Sequence, residues 1–243
     1  MTRKDKRQED ELRPVSFVPG YQRHPAGSVL ASFGNTRVLC AVSVETGVPR
    51  WMKEQNVPGG WITAEYQMLP SATTQRTERE VTRGKLSGRS AEIQRLIGRS
   101  LRAVVDLSKL PGLTLHVDCD VVDADGGTRC ASITGASVAL QLAAAKLRQD
   151  GLITENPIVA QVAAVSVGLI DGQPLLDLCY EEDSAADVDM NIVMTAAGRF
   201  VEIQGSGEET TFSDTELEKM LNLARRGLAG VFALQNAITV QAQ

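Results

Sequence analysis

Two pairs of β-rich segments, each joined by a two-residue turn, constrain most strongly what this chain of 243 residues can fold into. The turns are Gly34-Asn35 and Asp171-Gly172, whose residue types favour the positive φ angles of tight β-hairpins. Each pair therefore predicts two adjacent antiparallel strands. The four predicted strands are residues 29–33, 36–44, 162–170 and 175–178.

Helical periodicity follows the strands in both halves of the chain. Apolar residues recur at helical spacing over residues 90–105, with Ser90 as the predicted N-cap. Residues 113–121 alternate as in a half-buried strand, and residues 131–147 form an Ala- and Leu-rich helix. Strands are also predicted at 190–195 and 200–204, and a final helix opens on a capping box made by Ser213 and Glu216.

This order of elements predicts the class of the fold. Strands precede a helix twice, with hairpins rather than alternating βα units, which indicates an α+β protein built from two similar layered halves. We expect residues 14–243 to form a single domain, preceded by a charged, solvated arm over residues 1–13, nine of whose thirteen residues are charged. A polar segment, residues 71–88, has no hydrophobic periodicity and predicts a long loop with a short helical turn.

Composition excludes several classes of protein. Hydrophobic residues make up 43% of the chain and the net charge is −5, which argues against disorder. The chain has no uninterrupted apolar run of membrane-spanning length, and we expect no secretory signal at the N-terminus. The four cysteines are scattered and lack a C-x-x-C pair, so we expect a reducing, cytoplasmic setting. Only two histidines occur, which disfavours a zinc protease or a Ser-His-Asp triad.

Charge is unevenly distributed along the chain. Residues 76–102 carry eight basic and three acidic side chains, whereas residues 171–218 carry thirteen acidic side chains and one basic side chain. A basic loop of this kind can guide a phosphate backbone, and it is equally compatible with an ordinary solvated loop and helix face. Charge alone leaves both interpretations open.

Two predicted helix starts could bind an anion. Gly88-Arg89-Ser90 opens the first helix, and Gly126-Gly127-Thr128-Arg129 opens the second. Each start combines backbone N–H groups, a hydroxyl and a guanidinium at the positive end of a helix dipole. Ordinary helix capping explains either one alone, but two such ends that converge would bind one phosphate. No P-loop or G-x-G-x-x-G motif occurs.

Acidic residues between positions 181 and 189 could hold a metal ion. We expect Asp187 and Asp189 to share one face of a strand, with Asp183 folding back towards them, which suits Mg²⁺ or Mn²⁺. A solvated acidic loop is the alternative. Asp118 and Asp120, beside His116, form a second candidate metal cluster, although alternating polar residues on a strand explain them equally well.

Five motifs occur in order along the chain: GWITAEYQMLP, GRSAEIQRLIGRSLRAVVDL, LHVDCDVVDADGGTRCASITGA, VAAVSVGLIDG and EEDSAADVDMNIVMT. Together they resemble the ribonuclease PH family of bacterial, phosphorolytic, tRNA-trimming exonucleases. The resemblance extends from about residue 12 to the final helix. It implies the ribosomal protein S5 domain 2-like fold and a homohexamer built as a trimer of dimers. It also implies processing of tRNA precursors, rRNA and other RNA 3′ ends.

The resemblance also implies roles for individual residues. Inorganic phosphate, as co-substrate, would attack the last phosphodiester and release a nucleoside diphosphate, and the reverse reaction would add nucleotides. Mg²⁺ or Mn²⁺ would bind the paired catalytic aspartates. Ser71 stands where some family members carry a further tRNA-binding arginine. The implied residues are Arg89, Gly127, Thr128 and Arg129 for phosphate, Asp183 and Asp189 for catalysis and metal, and Arg76 and Arg79 for RNA.

Two other readings of the chain stay open at this stage. The first is a catalytically silent, RNA-binding subunit of a ring, and the presence of Arg89, Arg129 and both aspartates speaks against it. The second is a small-molecule phosphotransferase on the same S5-like fold. The absence of a glycine loop that could cradle a nucleotide speaks against this reading.

Overall fold

The computed structural model describes residues 3–208 and 210–239, in an α+β arrangement of two sheets and five helices. Residues 1–2 of the predicted arm, and residues 209 and 240–243 of the predicted domain, lie outside the described residues. The elements in chain order are β1 (Val15–Pro19), β2 (Gly27–Phe33), β3 (Thr36–Thr46), α1 (Arg50–Glu54), β4 (Trp61–Met68), α2 (Gly88–Arg102), β5 (Leu113–Asp123), α3 (Thr128–Gln149), β6 (Val162–Ile170), β7 (Gln173–Leu176), α4 (Tyr180–Ser184), β8 (Val188–Thr195), β9 (Phe200–Gly207) and α5 (Asp214–Thr239).

The first half of the chain forms a five-stranded sheet in the order β1-β2-β3-β5-β4. Neighbouring strands run antiparallel except β4 and β5, which are parallel. The predicted hairpin joins β2 to β3, with Phe33 opposite Thr36 and Gly34 at a φ of 56°. Alternate residues of β5 are buried, as the sequence pattern predicts. The polar 71–88 segment is a loop with one 3₁₀ turn, Glu80–Arg83.

The second half forms a four-stranded antiparallel sheet in the order β7-β6-β8-β9. Its hairpin turn lies at Asp171-Gly172, and both residues have positive φ, at 51° and 73°. Strand β7 covers residues 173–176 rather than the predicted 175–178. The strand ends early because Asp177 adopts a φ of 53° and turns the chain away from extended geometry.

Helix α3 packs against strands of both sheets and so joins the two halves of the molecule. Its length and composition alone would allow it to span a membrane. However, 78% of its most apolar window is buried inside the fold, as expected of a core helix. Helix α2 packs on β4 and α3, and α5 packs on β6 and β7. The capping box of α5 is confirmed, because the backbone N–H of Ser213 donates to Glu216 Oε2 at 2.7 Å.

Two predicted helix starts were misplaced. Ser87, not Ser90, is the N-cap of α2, and its hydroxyl oxygen accepts from the backbone N–H of Ser90 at 3.0 Å. Ser90 instead donates its own hydroxyl proton to Glu80 Oε1 at 2.6 Å. Helix α3 begins at Thr128, three residues earlier than the periodicity indicates, because Gly127 takes the N-cap position with a φ of 65°. Serines near a helix start have similar capping preferences, so local sequence does not separate them.

The expectation of a solvated N-terminal arm holds for residues 4–6 and 8–11, which are exposed, and was wrong for three arginines. Within residues 3–13, Arg3, Arg7 and Arg13 are buried, with 5%, 9% and 4% of their surfaces exposed. Each guanidinium forms an ion pair with a carboxylate from the second half of the chain, on Asp177 or Glu182. Paired in this way, the arginines can be buried without leaving a charge unsatisfied.

Candidate active site

The N-terminus of α3 is built by two consecutive glycines. Gly126 and Gly127 have φ angles of 74° and 65°, which residues with a side chain rarely adopt. A Cβ atom at Gly126 would lie 2.6 Å from the carbonyl oxygen of Leu178, so a side chain has no room there. The glycines therefore allow the backbone to turn tightly and start α3 directly at Thr128, with the first N–H groups of the helix unbonded within the helix.

Tyr66 on β4 contacts this helix start. Its phenolic oxygen lies 2.9 Å from the hydroxyl oxygen of Thr128 in a buried hydrogen bond. Burial raises the pKa of Tyr66, and the positive charges of Arg89 and Arg129 oppose that rise. One phenol thus experiences the charges of two arginines that lie forty positions apart in the chain. Sequence reasoning missed Tyr66, although its buried position follows from the alternation along β4.

Arg129 is oriented by a polar network that sequence reasoning also missed. Its NH1 atom donates to Gln204 Oε1 at 2.8 Å and lies 3.6 Å from Glu92 Oε2. The amide nitrogen of Gln204 donates in turn to Glu92 and to Glu202, both at 2.8 Å. These contacts join α2, α3 and β9 and restrict the directions that the guanidinium can take.

Asp183 lies on α4 and faces the same positive charges. Its side chain reaches solvent, but the surrounding protein removes part of its hydration, which raises its pKa. The negative charge of Asp189 raises the pKa further, whereas Arg89, Arg129 and Arg13 lower it. The pKa of Asp183 thus responds to Asp189 on one side and to the two predicted phosphate-binding arginines on the other.

Asp189 projects from β8 towards the start of α3. It shares a face of the strand with Asn191, since the two residues are two positions apart. The thiol of Cys130, in the first turn of α3, donates to Asn191 Oδ1 at 3.2 Å. Burial, the largest cause, raises the pKa of that thiol to about 12, and Arg129 opposes the rise.

Other predicted metal ligands lie apart from this arrangement. Asp187 lies just before β8, which begins at Val188, and its carboxylate accepts from the backbone N–H of Asp171 at 3.0 Å. Asp118 and Asp120 lie beside Glu65 on the five-stranded sheet. Within residues 3–208 and 210–239, no group of three or more His, Cys, Asp or Glu residues is arranged to hold a metal ion.

Arg76 and Arg79 lie exposed in the polar loop that precedes α2. Arg79, Arg89 and Tyr66 line a cavity of about 200 Å³. Burial raises the pKa of Asp120, and the charge of Arg79 opposes that rise, so Arg79 also lies near β5. The loop therefore extends a positive surface outward from the start of α2.

The residues present are compatible with a divalent cation. Asp183 and Asp189 are two oxygen donors whose mutual repulsion a cation would relieve, as the raised pKa of Asp183 indicates. Mg²⁺ commonly binds through one or two carboxylates together with substrate phosphates and water, so a third protein ligand is not required. Opposite them, Arg89, Thr128, Arg129 and the start of α3 offer donors suited to a tetrahedral oxyanion. Asp183 and Asp189 would hold the cation beside an oxyanion bound by the arginines, and the cation would supply positive charge there.

Comparison with known proteins gives matches along most of the chain. Domain 1 of the 3′ exoribonuclease family, RNase PH, matches residues 11–146, and domain 2 of the same family matches residues 160–227. Ribonuclease PH of Corynebacterium efficiens is 57% identical over 97% of this chain and 96% of its own length. Ribonuclease PH of Bacillus pumilus is 58% identical over 98% of each chain.

Solved structures share the fold. An Archaeoglobus fulgidus exosome with RNA bound to the active site includes a chain that is 25% identical, with a TM-score of 0.79 over 95% of this chain and 91% of the other. Rrp46 of rice (Oryza sativa) is 20% identical, with a TM-score of 0.78 over 99% of this chain and the whole of the other. The predicted α+β, S5-like class of fold is thereby confirmed.

Proposed function

The chain belongs to the 3′ exoribonuclease family, RNase PH type, and we propose that it trims the 3′ ends of tRNA precursors and other RNAs by phosphorolysis. Inorganic phosphate is the co-substrate, and nucleoside diphosphates are the products. The observation that best supports the assignment of residues is that Tyr66 hydrogen-bonds Thr128 at the start of α3 and lines one cavity with Arg89 at the start of α2. The charges of Arg89 and Arg129 also oppose the rise in the pKa of Asp183, which supports a site where the two helix starts face the pair of acids.

Phosphate binding is the first role of the site. The guanidinium groups of Arg89 and Arg129, the hydroxyl of Thr128 and the free N–H groups of α3 bind and orient the phosphate oxygens. The bound phosphate then attacks the last phosphodiester, and the reverse reaction adds a nucleotide. Since phosphate is already largely dianionic near neutral pH, the protein needs no histidine base and acts by positioning and charge stabilisation.

Asp183 and Asp189 would hold the divalent cation, Mg²⁺ or Mn²⁺. When bound, the cation supplies positive charge that stabilises the developing charge of the transition state. The two carboxylates fix its position relative to the phosphate-binding arginines. Burial and the charge of Asp189 raise the pKa of Asp183, and the positive charges of Arg89 and Arg129 oppose that rise, which favours the ionised form that a metal ligand needs.

Phosphorolysis of oligoadenylate tests the function directly. With inorganic phosphate and Mg²⁺, we expect the protein to release ADP, and with excess ADP we expect it to lengthen the oligonucleotide. The matched control omits phosphate. RNA binding without ADP release would instead identify a catalytically silent ring subunit.

Arg89→Ala and Arg129→Ala should each raise the phosphate KM by roughly ten- to a hundredfold. Hydrogen bonds to charged groups contribute about 1.5–3 kcal/mol, and 1.4 kcal/mol corresponds to a factor of ten. Initial rates at varied phosphate concentration measure the effect. Arg95, exposed on the same helix α2, provides the control, and Arg95→Ala should leave the phosphate KM unchanged. Equal effects of all three substitutions would contradict the assignment.

RNA affinity should fall as salt rises, because Arg76 and Arg79 would contact backbone phosphates. Removing either arginine should reduce the slope of log affinity against log salt by roughly 0.7 to 0.9. Filter binding or fluorescence anisotropy at several salt concentrations measures that slope. Lys146→Ala is the control, since Lys146 pairs with Asp150 at the far end of α3. A slope unaffected by either arginine would remove this loop from the RNA interface.

Membership of the family supports a proposal about the oligomeric state and the location of the enzyme. We propose a cytoplasmic homohexamer arranged as a trimer of dimers, since the solved relatives include exosome cores. Light scattering coupled to size-exclusion chromatography would give a mass near six times 26.1 kDa. A monomer at the concentrations used for activity would contradict this assembly.

A further inference from the structure

The first residues of the chain contact the helix that carries Asp183. Arg3 donates from Nε and NH2 to the two carboxylate oxygens of Glu182, at 2.7 and 2.8 Å. The side chains of this pair are 2% and 12% exposed. Glu182 immediately precedes Asp183 in α4, so a buried, bidentate ion pair lies one residue away from the proposed metal ligand.

Two further arginines of the arm complete the contact. Arg7 NH1 donates to the backbone carbonyl of Asp177 at 3.1 Å, which also accepts from Arg3 NH2 at 3.1 Å. Arg13 makes a bidentate pair with the Asp177 carboxylate, at 3.0 and 2.7 Å, and donates to the carbonyl of Asp125. We call Arg3, Arg7 and Arg13, with their partners Asp177 and Glu182, the arginine clamp.

The arginine clamp bridges the two segments of the proposed active site. Asp125 directly precedes the glycines that start α3, and its carboxylate Oδ1 also accepts from the backbone N–H of Tyr180 at 3.1 Å. Tyr180 is the first residue of α4. The clamp and Asp125 thus connect the phosphate-binding side of the site to the aspartate side.

Helix α4 depends on these contacts for its position. It has five residues, none of them buried, so apolar packing contributes little to holding it. An isolated helix of that length is unstable in water. Segments with few buried apolar contacts open locally at low free-energy cost unless other interactions hold them. The ion pair between Arg3 and Glu182 supplies such an interaction.

We propose that the arginine clamp is a positioning device that sets the direction of Asp183 relative to the phosphate-binding helix start. The proposal rests on the function proposed above. In this role Arg3, Arg7 and Arg13 act through Glu182 and Asp177 and do not touch the substrate. Partners that orient a metal ligand typically change metal affinity 10- to 100-fold when they are removed.

The chain provides a matched control beside Arg3. Lys4 pairs with Glu181 at 2.7 Å, so it joins the same arm to the same helix. Both side chains are largely exposed, at 80% and 59%. An exposed pair of this kind contributes little to stability or geometry. Lys4→Gln therefore changes the charge of the arm without releasing α4.

The test compares Arg3→Gln with Lys4→Gln in the full-length protein. The first readout is Mn²⁺ affinity, measured by electron paramagnetic resonance of free Mn²⁺ in the presence of phosphate. The second is kcat and the RNA KM in phosphorolysis. For Arg3→Gln we expect Mn²⁺ affinity to fall about tenfold or more and kcat to fall with little change in KM. Lys4→Gln should stay within about twofold of the unmodified protein on both readouts.

Other outcomes separate the proposal from its alternatives. Arg3→Gln could lose thermal stability while its Mn²⁺ affinity and kcat equal those of Lys4→Gln. That result would overturn the positioning role of the arginine clamp and leave the arm a purely structural one. If Arg3→Gln does not fold, Arg3→Lys and Glu182→Gln, which preserve side-chain bulk, are measured in the same way and judged by the same criterion. Unchanged Mn²⁺ affinity in Asp183→Asn would overturn the proposed metal site itself, which distinguishes that failure from failure of the clamp.

Discussion

Asp183→Asn should lower the rate of phosphorolysis about a thousandfold, and the rate of the reverse reaction by the same factor. The substitution removes one of two anionic oxygen donors to the cation while preserving the size of the side chain. Charge stabilisation by a metal ion contributes several kcal/mol to a transition state, and each 1.4 kcal/mol changes a rate tenfold. ADP release from oligoadenylate, with a parallel RNA-binding titration, measures the effect. RNA affinity should change little, since Asp183 would act on the cation.

Asp187→Asn is the control for this substitution. Asp187 belongs to the same acidic segment and lies just before β8. Its carboxylate accepts from the backbone N–H of Asp171. We expect Asp187→Asn to retain activity within about threefold, as a surface substitution outside the site does. An Asp183→Asn variant with an unreduced rate would contradict the metal assignment, whatever the result for Asp187.

Arg13→Ala should lower the free energy of unfolding by about 3–5 kcal/mol. The guanidinium pairs with Asp177, and the side chains of both residues are at most 4% exposed. Removing the arginine would take away the bidentate partner of the buried Asp177 carboxylate and leave the Arg7 guanidinium at 3.8 Å as its charged partner, and breaking a buried pair from one side is costly. The carbonyl of Asp125 would also lose a donor. Chemical denaturation at one fixed protein concentration measures the change.

Arg37→Ala provides the comparison on the surface. Arg37 pairs with Asp123, and their side chains are 51% and 40% exposed. Exposed ion pairs contribute about 0–1 kcal/mol, so this variant should unfold almost as the unmodified protein does. Equal losses in Arg13→Ala and Arg37→Ala would show that burial of the Arg13 pair has no energetic consequence.

Local structure was predictable where the chemistry that determines it is local. Gly34-Asn35 and Asp171-Gly172 form the two predicted hairpin turns, because positive φ depends on the residues of the turn themselves. The capping box of Ser213 and Glu216 is likewise complete within four residues. Element ends were less predictable. Ser87 rather than Ser90 caps α2, since both serines can cap and only the surroundings distinguish them.

The contacts around the site depend on residues far apart in sequence. Tyr66, Gln204 and Glu92 orient or contact the α3 start, yet no spacing in the sequence relates them to Arg129. The charged pattern of residues 1–13 predicted a solvated segment, because charged residues are usually exposed. A local pattern contains no information about partners elsewhere in the chain. Arg3 is buried only because Glu182, 179 positions away, neutralises it.

The sequence by itself determined the two hairpins, the three long helices, the α+β class and, through its motifs, the kinds of residues that the site contains. Only the tertiary structure decided which of those residues meet. Hairpins and helices depend on interactions between near neighbours, whereas electrostatic coupling and burial depend on distance in space. Burial raises the pKa of Asp183, and Arg89 and Arg129 oppose that rise because the packing of the helices on the two sheets brings them near it.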